Sequence, residues 1–206
     1  MVESAAMTSW AIAAVALLLA AHLVAEARGL RAARAPTKVG ASLGFVAVAL
    51  SLGIEGRFAQ GILAALILSV AGDALLLSER RPAFLAGLAA FLLAHVAYGL
   101  AFARRAELLA WPALPLAAAL VLVLRWLWPH LGDMRAPVVA YCLVISAMLW
   151  LALGVPSPLV RWGAALFYLS DLAVARDRFV RPAFANRLVG LPLYYGAQVL
   201  LALAVR

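Results

Sequence analysis

The sequence has little of what a water-soluble domain needs, because the polar stretches between its apolar runs are few and short. Only 13% of its 206 residues are charged, and 67% are hydrophobic, whereas soluble domains usually contain about 45–50% apolar residues. Many of the apolar residues form runs of about 20 residues, the length that crosses the hydrocarbon core of a bilayer. The composition therefore predicts an integral membrane protein with no water-soluble domain of any size.

Cysteine, histidine and acidic residues are also scarce. The single cysteine, Cys142, lies inside an apolar run, so no disulfide can form within the chain and we expect a packing role. The three histidines and nine acidic residues supply few metal ligands. The sequence contains no glycine-rich nucleotide-binding loop, heavy-metal motif or serine-nucleophile elbow. We therefore expect no cofactor.

Basic residues outnumber acidic ones, which gives a net charge of +8. In a soluble protein this would suggest nucleic acid, but here the charges lie between apolar runs, where anionic lipid headgroups explain them better. The odd-numbered loops hold 12 of the 17 Lys and Arg residues. The positive-inside rule then predicts that these loops are cytoplasmic and that both termini lie outside. We expect the membrane to be a bacterial inner membrane.

Eight apolar runs are predicted to be membrane-spanning helices, because backbone polar groups in hydrocarbon must be satisfied within their own segment. The runs are apolar at both odd and even positions, whereas the strands of a membrane barrel alternate between apolar and polar residues. No basic segment precedes the first run, so we interpret it as a span and not as a signal peptide. The predicted fold is an all-α bundle in a single transmembrane domain, 1–206, with spans at about 8–26, 37–54, 59–77, 83–103, 109–128, 136–154, 158–175 and 186–205.

Two segments resemble each other at a spacing of about 100 residues. Gly72-Asp73 precedes Arg81-Pro-Ala-Phe84, and Ser170-Asp171 precedes Arg181-Pro-Ala-Phe184. This internal similarity predicts two four-helix halves that are related as a parallel repeat. Chance similarity in so biased a composition is the alternative.

Ionisable residues inside membrane spans are costly and are therefore the first candidates for function. Asp73 and Asp171 fall near the cytoplasmic ends of the third and seventh spans, and His95 lies deeper in the fourth. Further polar residues lie mostly in the same half of the membrane, namely Lys38, Tyr98, Tyr141, Tyr194 and Gln198. We predict one polar cavity that opens towards the cytoplasm.

Each of these residues also has a purely structural interpretation. The two aspartates could be solvated at the headgroup level or paired with loop arginines. His95 could be a hydrogen-bonded packing residue, and Lys38 a topology charge that snorkels to the interface. Tyr141, Tyr194 and Gln198 could form hydrogen bonds between helices.

Four segments carry a specific combination of motifs, which are Gly72-Asp73, then Gly87-Leu88 with Phe91 and His95-Val-Ala-Tyr98, then Phe167-Tyr-Leu-Ser170-Asp171, and Tyr194-Tyr195-Gly-Ala-Gln198. This combination resembles the YhhN-like family of membrane lysoplasmalogenases over nearly the whole chain. The family often has a proline directly after a lysine that corresponds to Lys38, and this chain has Val39 at that position.

The resemblance implies hydrolysis of the vinyl-ether bond of lysoplasmalogens to a fatty aldehyde and a glycerophospho-base. Such hydrolysis begins with protonation of the β-carbon, which produces an oxocarbenium ion that water then attacks. Two carboxylates can divide the roles of acid and cation stabiliser, as in glycoside hydrolysis. We expect Asp73 and Asp171 to be this pair, with His95 orienting or activating the water.

The other polar residues are expected to bind a lysophospholipid. Lys38 or a loop arginine would meet the phosphate, and the remaining set would hold the head and the hemiacetal oxygens, namely Tyr98, Tyr141, Ser170, Tyr194 and Gln198. Three alternatives stay open. They are a divalent metal held by His95 and both aspartates, a small transporter or channel, and an accessory lipid-binding protein without turnover.

Overall fold

The computed structural model describes residues 2–78 and 80–206, with the side chains of residues 2–4 left aside. Helices make up most of the described chain, and no strand occurs within it, which confirms the predicted all-α class. The eight α-helices are α1 (Val2–Ala27), α2 (Arg31–Ser51), α3 (Gly56–Leu75), α4 (Arg81–Phe102), α5 (Ala113–Leu127), α6 (Arg135–Gly154), α7 (Pro158–Ala175) and α8 (Phe184–Leu203).

Five segments are long and apolar enough to cross a membrane, and they correspond to α1, α3, α4, α5 with the turn after it, and α6. The remaining three helices, α2, α7 and α8, contain more polar residues. Large apolar side chains face outward on the bundle, among them Leu17, Leu114 and Leu122, which are 72%, 80% and 67% exposed. Such a surface suits hydrocarbon better than water, as expected for a helical membrane bundle.

Helix α2 begins at Arg31, six residues before the predicted start of the second span, and therefore includes Pro36. A tight turn at Gly29, whose φ of +67° favours glycine, separates it from α1. Pro36 lies in the second turn of α2, where its missing N–H removes one intrahelical hydrogen bond. As a result Lys38 lies inside α2, seven residues after the first residue of the helix.

Close helix packing places the polar residues of the site next to one another. At Gly72 in α3, an added Cβ would lie 2.6 Å from a ring carbon of Phe91 in α4. At Gly163 in α7, it would lie 2.7 Å from Leu201 in α8. These glycines let the two hairpins α3–α4 and α7–α8 close tightly. The parallel repeat of two halves stays a prediction.

The chain after α7 widens into a single π-helical turn, Arg176–Val180, before it enters α8. Such turns are rare and are often found at functional sites. Here the turn brings Asp177 and Arg178 to the end of the bundle where the predicted carboxylates lie.

Candidate functional site

A cavity of about 350 Å³ opens at the end of the bundle where α1 finishes and α2 begins. This volume lies within the roughly 300–1,000 Å³ of typical small-molecule sites. Six of the nine residues predicted for the site line it, namely Lys38, Asp73, Tyr141, Ser170, Asp171 and Tyr194. His95, Tyr98 and Gln198 do not line the cavity.

Asp73, at the end of α3, is held by three donors. Its Oδ2 accepts hydrogen bonds from Ser42 Oγ at 2.7 Å and from Tyr194 OH at 2.6 Å. Its Oδ1 lies 3.3 Å from Lys38 Nζ, and the two side chains are only 3% and 12% exposed. Both carboxylate oxygens of this buried side chain therefore have a partner.

Two residues that were not among the predicted site residues complete this cluster. Ser42 lies one helical turn after Lys38 on α2, and Tyr195 follows Tyr194 on α8. The Tyr195 hydroxyl lies 3.1 Å from both Ser42 Oγ and the Lys38 carbonyl oxygen. The i, i+4 spacing of Lys38 and Ser42 is the signal that could have identified Ser42.

Asp171, near the end of α7, has a different environment. Its Oδ2 accepts a hydrogen bond from Tyr141 OH at 2.7 Å. Its nearest basic group is His95 Nε2 at 3.7 Å, which is too far for a hydrogen bond. Among the described residues, no lysine or arginine forms an ion pair with Asp171. Its negative charge is therefore compensated less than that of Asp73.

The hydrogen bonds of His95 define the state of its ring. Its Nδ1 donates to the Phe91 carbonyl oxygen at 2.7 Å, because a carbonyl can only accept. In the neutral ring, Nε2 then carries a lone pair and faces Asp171. Nε2 has no hydrogen-bond partner in the part of the chain that the structure describes, and neither has Ser170 Oγ. Of these two unpartnered residues, Ser170 lines the cavity, and His95 lies next to Asp171, which also lines it.

Tyr98 and Gln198 form a separate buried pair. The Tyr98 hydroxyl donates to Gln198 Oε1 at 2.6 Å and connects α4 with α8 behind the cavity wall. This bond is the interhelical contact that the structural interpretation anticipated. A substrate-binding role for the two residues stays a prediction.

An ion-pair network that the sequence analysis missed surrounds the cavity mouth. Glu26, whose side chain is 5% exposed, pairs with both Arg34 and Arg187. Arg187 also pairs with Asp177 at 3.3 Å, and Asp177 accepts hydrogen bonds from the Ala183 backbone N–H and from Asn186. Partial burial alone would raise the pKa of Asp177, but these donors and the charge of Arg187 lower it below its ordinary value.

A large part of the cavity lining is apolar. It is formed by side chains from the end of α3, the start of α4, and from α5 and α6, among them Leu76, Leu77, Phe84, Leu88, Phe91, Val123, Leu127, Val138 and Ile145. The cavity is thus amphiphilic, because its lining combines charged residues with a hydrocarbon-like surface. Such a shape suits a ligand with a polar head and a single aliphatic chain.

The described residues contain no group of three or more His, Cys, Asp and Glu side chains arranged to hold a metal ion. Of the three residues that the metal alternative required, Asp171 and His95 lie near each other. The oxygens of Asp73 are already occupied by Lys38, Ser42 and Tyr194.

Fold and site together define a helical membrane protein with an amphiphilic cavity at one end of its bundle. The chain belongs to the YhhN family, whose model matches residues 8–205. This confirms the resemblance found in the sequence motifs. No solved structure matches the chain.

Several curated relatives are similar to the chain. Human "Lysoplasmalogenase TMEM86B" is 40% identical over 153 residues, which cover 73% of this chain and 65% of the relative. The "Lysoplasmalogenase" of Mycobacterium tuberculosis (strain CDC 1551 / Oshkosh) is 36% identical over 176 residues, covering 77% of this chain and 64% of the relative. Human "Lysoplasmalogenase TMEM86A" is 32% identical over 157 residues, covering 71% and 65%. The chain thus spans slightly less than two thirds of each relative's length.

Proposed function

We propose that this protein is a membrane hydrolase that cleaves the vinyl-ether bond of lysoplasmalogens and releases a fatty aldehyde and a glycerophospho-base. The observation that carries the proposal is one amphiphilic cavity whose lining includes Asp73 and Asp171, two carboxylates in unlike environments. Membership of the YhhN family and relatives named lysoplasmalogenase support the same substrate class.

The two carboxylates suit different roles. Asp73 pairs with Lys38 and accepts two hydroxyl hydrogen bonds, which hold its carboxylate in place as the negative charge that stabilises a developing cation. Asp171 is partly buried and accepts one hydrogen bond, from Tyr141. Burial without a strong cation favours a carboxylic acid that keeps its proton. We assign Asp171 as the general acid and Asp73 as the electrostatic stabiliser.

The reaction then follows from these roles. Asp171 transfers its proton to the β-carbon of the vinyl ether, and the C=C π bond supplies the electron pair of the new C–H bond. The resulting oxocarbenium ion is stabilised by Asp73. Water adds to the cationic carbon and returns a proton to Asp171, with His95 Nε2 as an acceptor that orients the water. The hemiacetal then collapses to the aldehyde and the free glycerol hydroxyl.

Turnover by the purified protein tests the proposal. With lysoplasmenylethanolamine as substrate, we expect wild type to release fatty aldehyde and both Asp73→Asn and Asp171→Asn to lose activity by about 10²–10⁴-fold, the usual contribution of a positioned acid or base. Asp133→Asn is the matched control, because this aspartate is 90% exposed and forms only a surface pair with Arg81. Activity near that of wild type in either site variant would remove that residue from the mechanism.

We also propose that the membrane is a bacterial inner membrane and that the cavity opens to its cytoplasmic side, with both termini outside. The distribution of Lys and Arg between the two sides supports this orientation. Single cysteines at Arg181 and at Gly53, each introduced into Cys142→Ser, would be labelled with a membrane-impermeant maleimide on intact cells. Labelling at Gly53 alone is expected, and labelling at Arg181 alone would reverse the orientation.

A further inference from the structure

Four lysine and arginine side chains line the cavity, and three of them pair with carboxylates. Lys38 pairs with Asp73, Arg34 with Glu26, and Arg187 with both Glu26 and Asp177. Arg178 also lines the cavity. Within residues 2–78 and 80–206, no carboxylate pairs with it. Arg178 therefore stands out among these cations as one that a ligand can use.

The position of the Arg178 guanidinium is fixed by an aromatic ring. Its Cζ lies 3.9 Å from the centroid of the Phe84 ring, in cation–π contact. Phe84 in turn packs edge-on against Phe179, with ring centroids 6.5 Å apart. Stacking engages the face of the guanidinium and leaves its N–H edge free. That edge matches the oxygens of a phosphate as a bidentate pair.

The spacing between Arg178 and Asp171 matches the size of a lysophospholipid head. Arg178 lies seven residues after Asp171, about 10 Å along a helix axis. The arginine side chain and the three-carbon glycerol backbone of a lysophospholipid can together span this separation. The π-helical turn from Arg176 to Val180 places Arg178 at the same end of α7 as Asp171, and the apolar wall beside Phe84 accommodates the aliphatic chain.

We propose that Arg178, stacked on Phe84, is the phosphate anchor that seats the head of a single-chain glycerophospholipid in the cavity. This inference deepens the proposed function and rests on it for the identity of the substrate. Both carboxylates at the mouth, Glu26 and Asp177, are already neutralised by arginines. The phosphate, and not the head amine, is therefore the group that is recognised.

Binding, which needs no turnover, is the test. The probes are a saturated alkyl-ether lysophosphatidylethanolamine, which has no vinyl ether to cleave, the matching 1-alkylglycerol without phosphate, and inorganic phosphate. Binding to purified full-length protein would be measured by calorimetry for wild type, Arg178→Gln, Arg178→Lys and Arg135→Gln. Arg135 is the matched control, because its guanidinium lies 4.8 Å from the Trp128 ring but does not line the cavity.

We expect wild type and Arg135→Gln to bind the phospholipid about tenfold more tightly than the alkylglycerol, since a bidentate charge-assisted pair supplies this much discrimination. Arg178→Gln should bind both lipids equally. Arg178→Lys should fall between, because lysine keeps the charge but lacks the planar fork.

The other results would overturn the proposal. Equal binding of the two lipids by wild type, or no binding of the phospholipid, would show that no phosphate anchor exists. Unchanged discrimination in Arg178→Gln would place the anchor elsewhere. Inorganic phosphate that binds as tightly as the lipid, and through Arg178, would identify a site for free phosphate. Discrimination through Arg178 without any aldehyde release would support this site while refuting the hydrolase proposal.

Discussion

Removing the Lys38 ammonium should destabilise the protein strongly, because it would leave the Asp73 carboxylate buried without its cation. In Lys38→Met the side-chain length is kept while the charge is lost. The Nζ–Oδ1 distance is 3.3 Å, and the two side chains are 12% and 3% exposed. Breaking one partner of such a buried pair typically costs about 3–5 kcal/mol, or a fall in the unfolding midpoint of roughly 10 °C for a chain of this size.

The double variant Lys38→Met/Asp73→Asn separates the lost pair from lost packing, since it removes both charges. We expect it to recover at least half of the stability that Lys38→Met loses, as measured by thermal unfolding in detergent. Arg31→Met is the matched control on the same helix, because Arg31 is exposed and forms no ion pair with any described residue. Two results would contradict this reasoning. They are a Lys38→Met variant that unfolds at the wild-type temperature, and a double variant that is less stable than Lys38→Met alone. Either would show that Lys38 does not stabilise the charge of Asp73.

Two further predictions concern stability. Gly154→Ala should destabilise the protein by more than 1 kcal/mol, because the new Cβ would lie 2.0 Å from the Glu107 carbonyl oxygen, whereas Gly99→Ala, whose nearest neighbour would be 3.8 Å away, should be tolerated. Equal melting temperatures for the two variants would contradict this. The lowered pKa of Asp177 means that its contribution to stability is complete above about pH 4, the usual carboxyl value, and is lost as the pH falls through the lower value of the folded state. Thermal unfolding from pH 7 to pH 3 should therefore show a smaller acid-induced loss in Asp177→Asn than in wild type, and identical profiles would refute the role of its pairing with Arg187.

The helical class of the fold could be predicted because it follows from apolar run lengths, which the bilayer dictates. The start of α2 could not be predicted, because the second span was expected to begin where its own apolar run begins. Arg31, Arg34 and Pro36 look like loop residues by composition, yet they belong to the helix. Hydropathy reports which residues hydrocarbon accepts and does not report where a helix protrudes from it.

The candidate site was predicted in part. Asp73, Asp171 and Lys38 were predicted because they are ionisable residues at span ends, and all three line one cavity. The different partners of the two aspartates depend on how α2, α7 and α8 pack, which a single sequence does not reveal. The Glu26 network was missed for the same reason, since Arg187 is 161 positions away along the chain.

The polar side of the cavity is supplied mostly by α2, α7 and α8, the three helices that are not apolar enough to be spans by composition alone. Lys38, Asp171 and Tyr194 lie on these helices, one on each. A helix that contributes charged or hydroxyl groups to an interior cavity lowers its own mean hydropathy. The polar residues that build the site therefore lower the hydropathy by which a membrane span is recognised in a sequence.

The most direct test of the hydrolase account is the mass of the aldehyde formed from lysoplasmenylethanolamine in D₂O, trapped at once by reduction to the alcohol. If an enzyme acid delivers a solvent-derived proton to the β-carbon, wild type gives a product with one deuterium on the carbon next to the former carbonyl, and Asp171→Asn gives none of this product. No aldehyde from folded wild-type protein would contradict the proposed activity. Aldehyde without deuterium at that carbon would contradict the proposed protonation step.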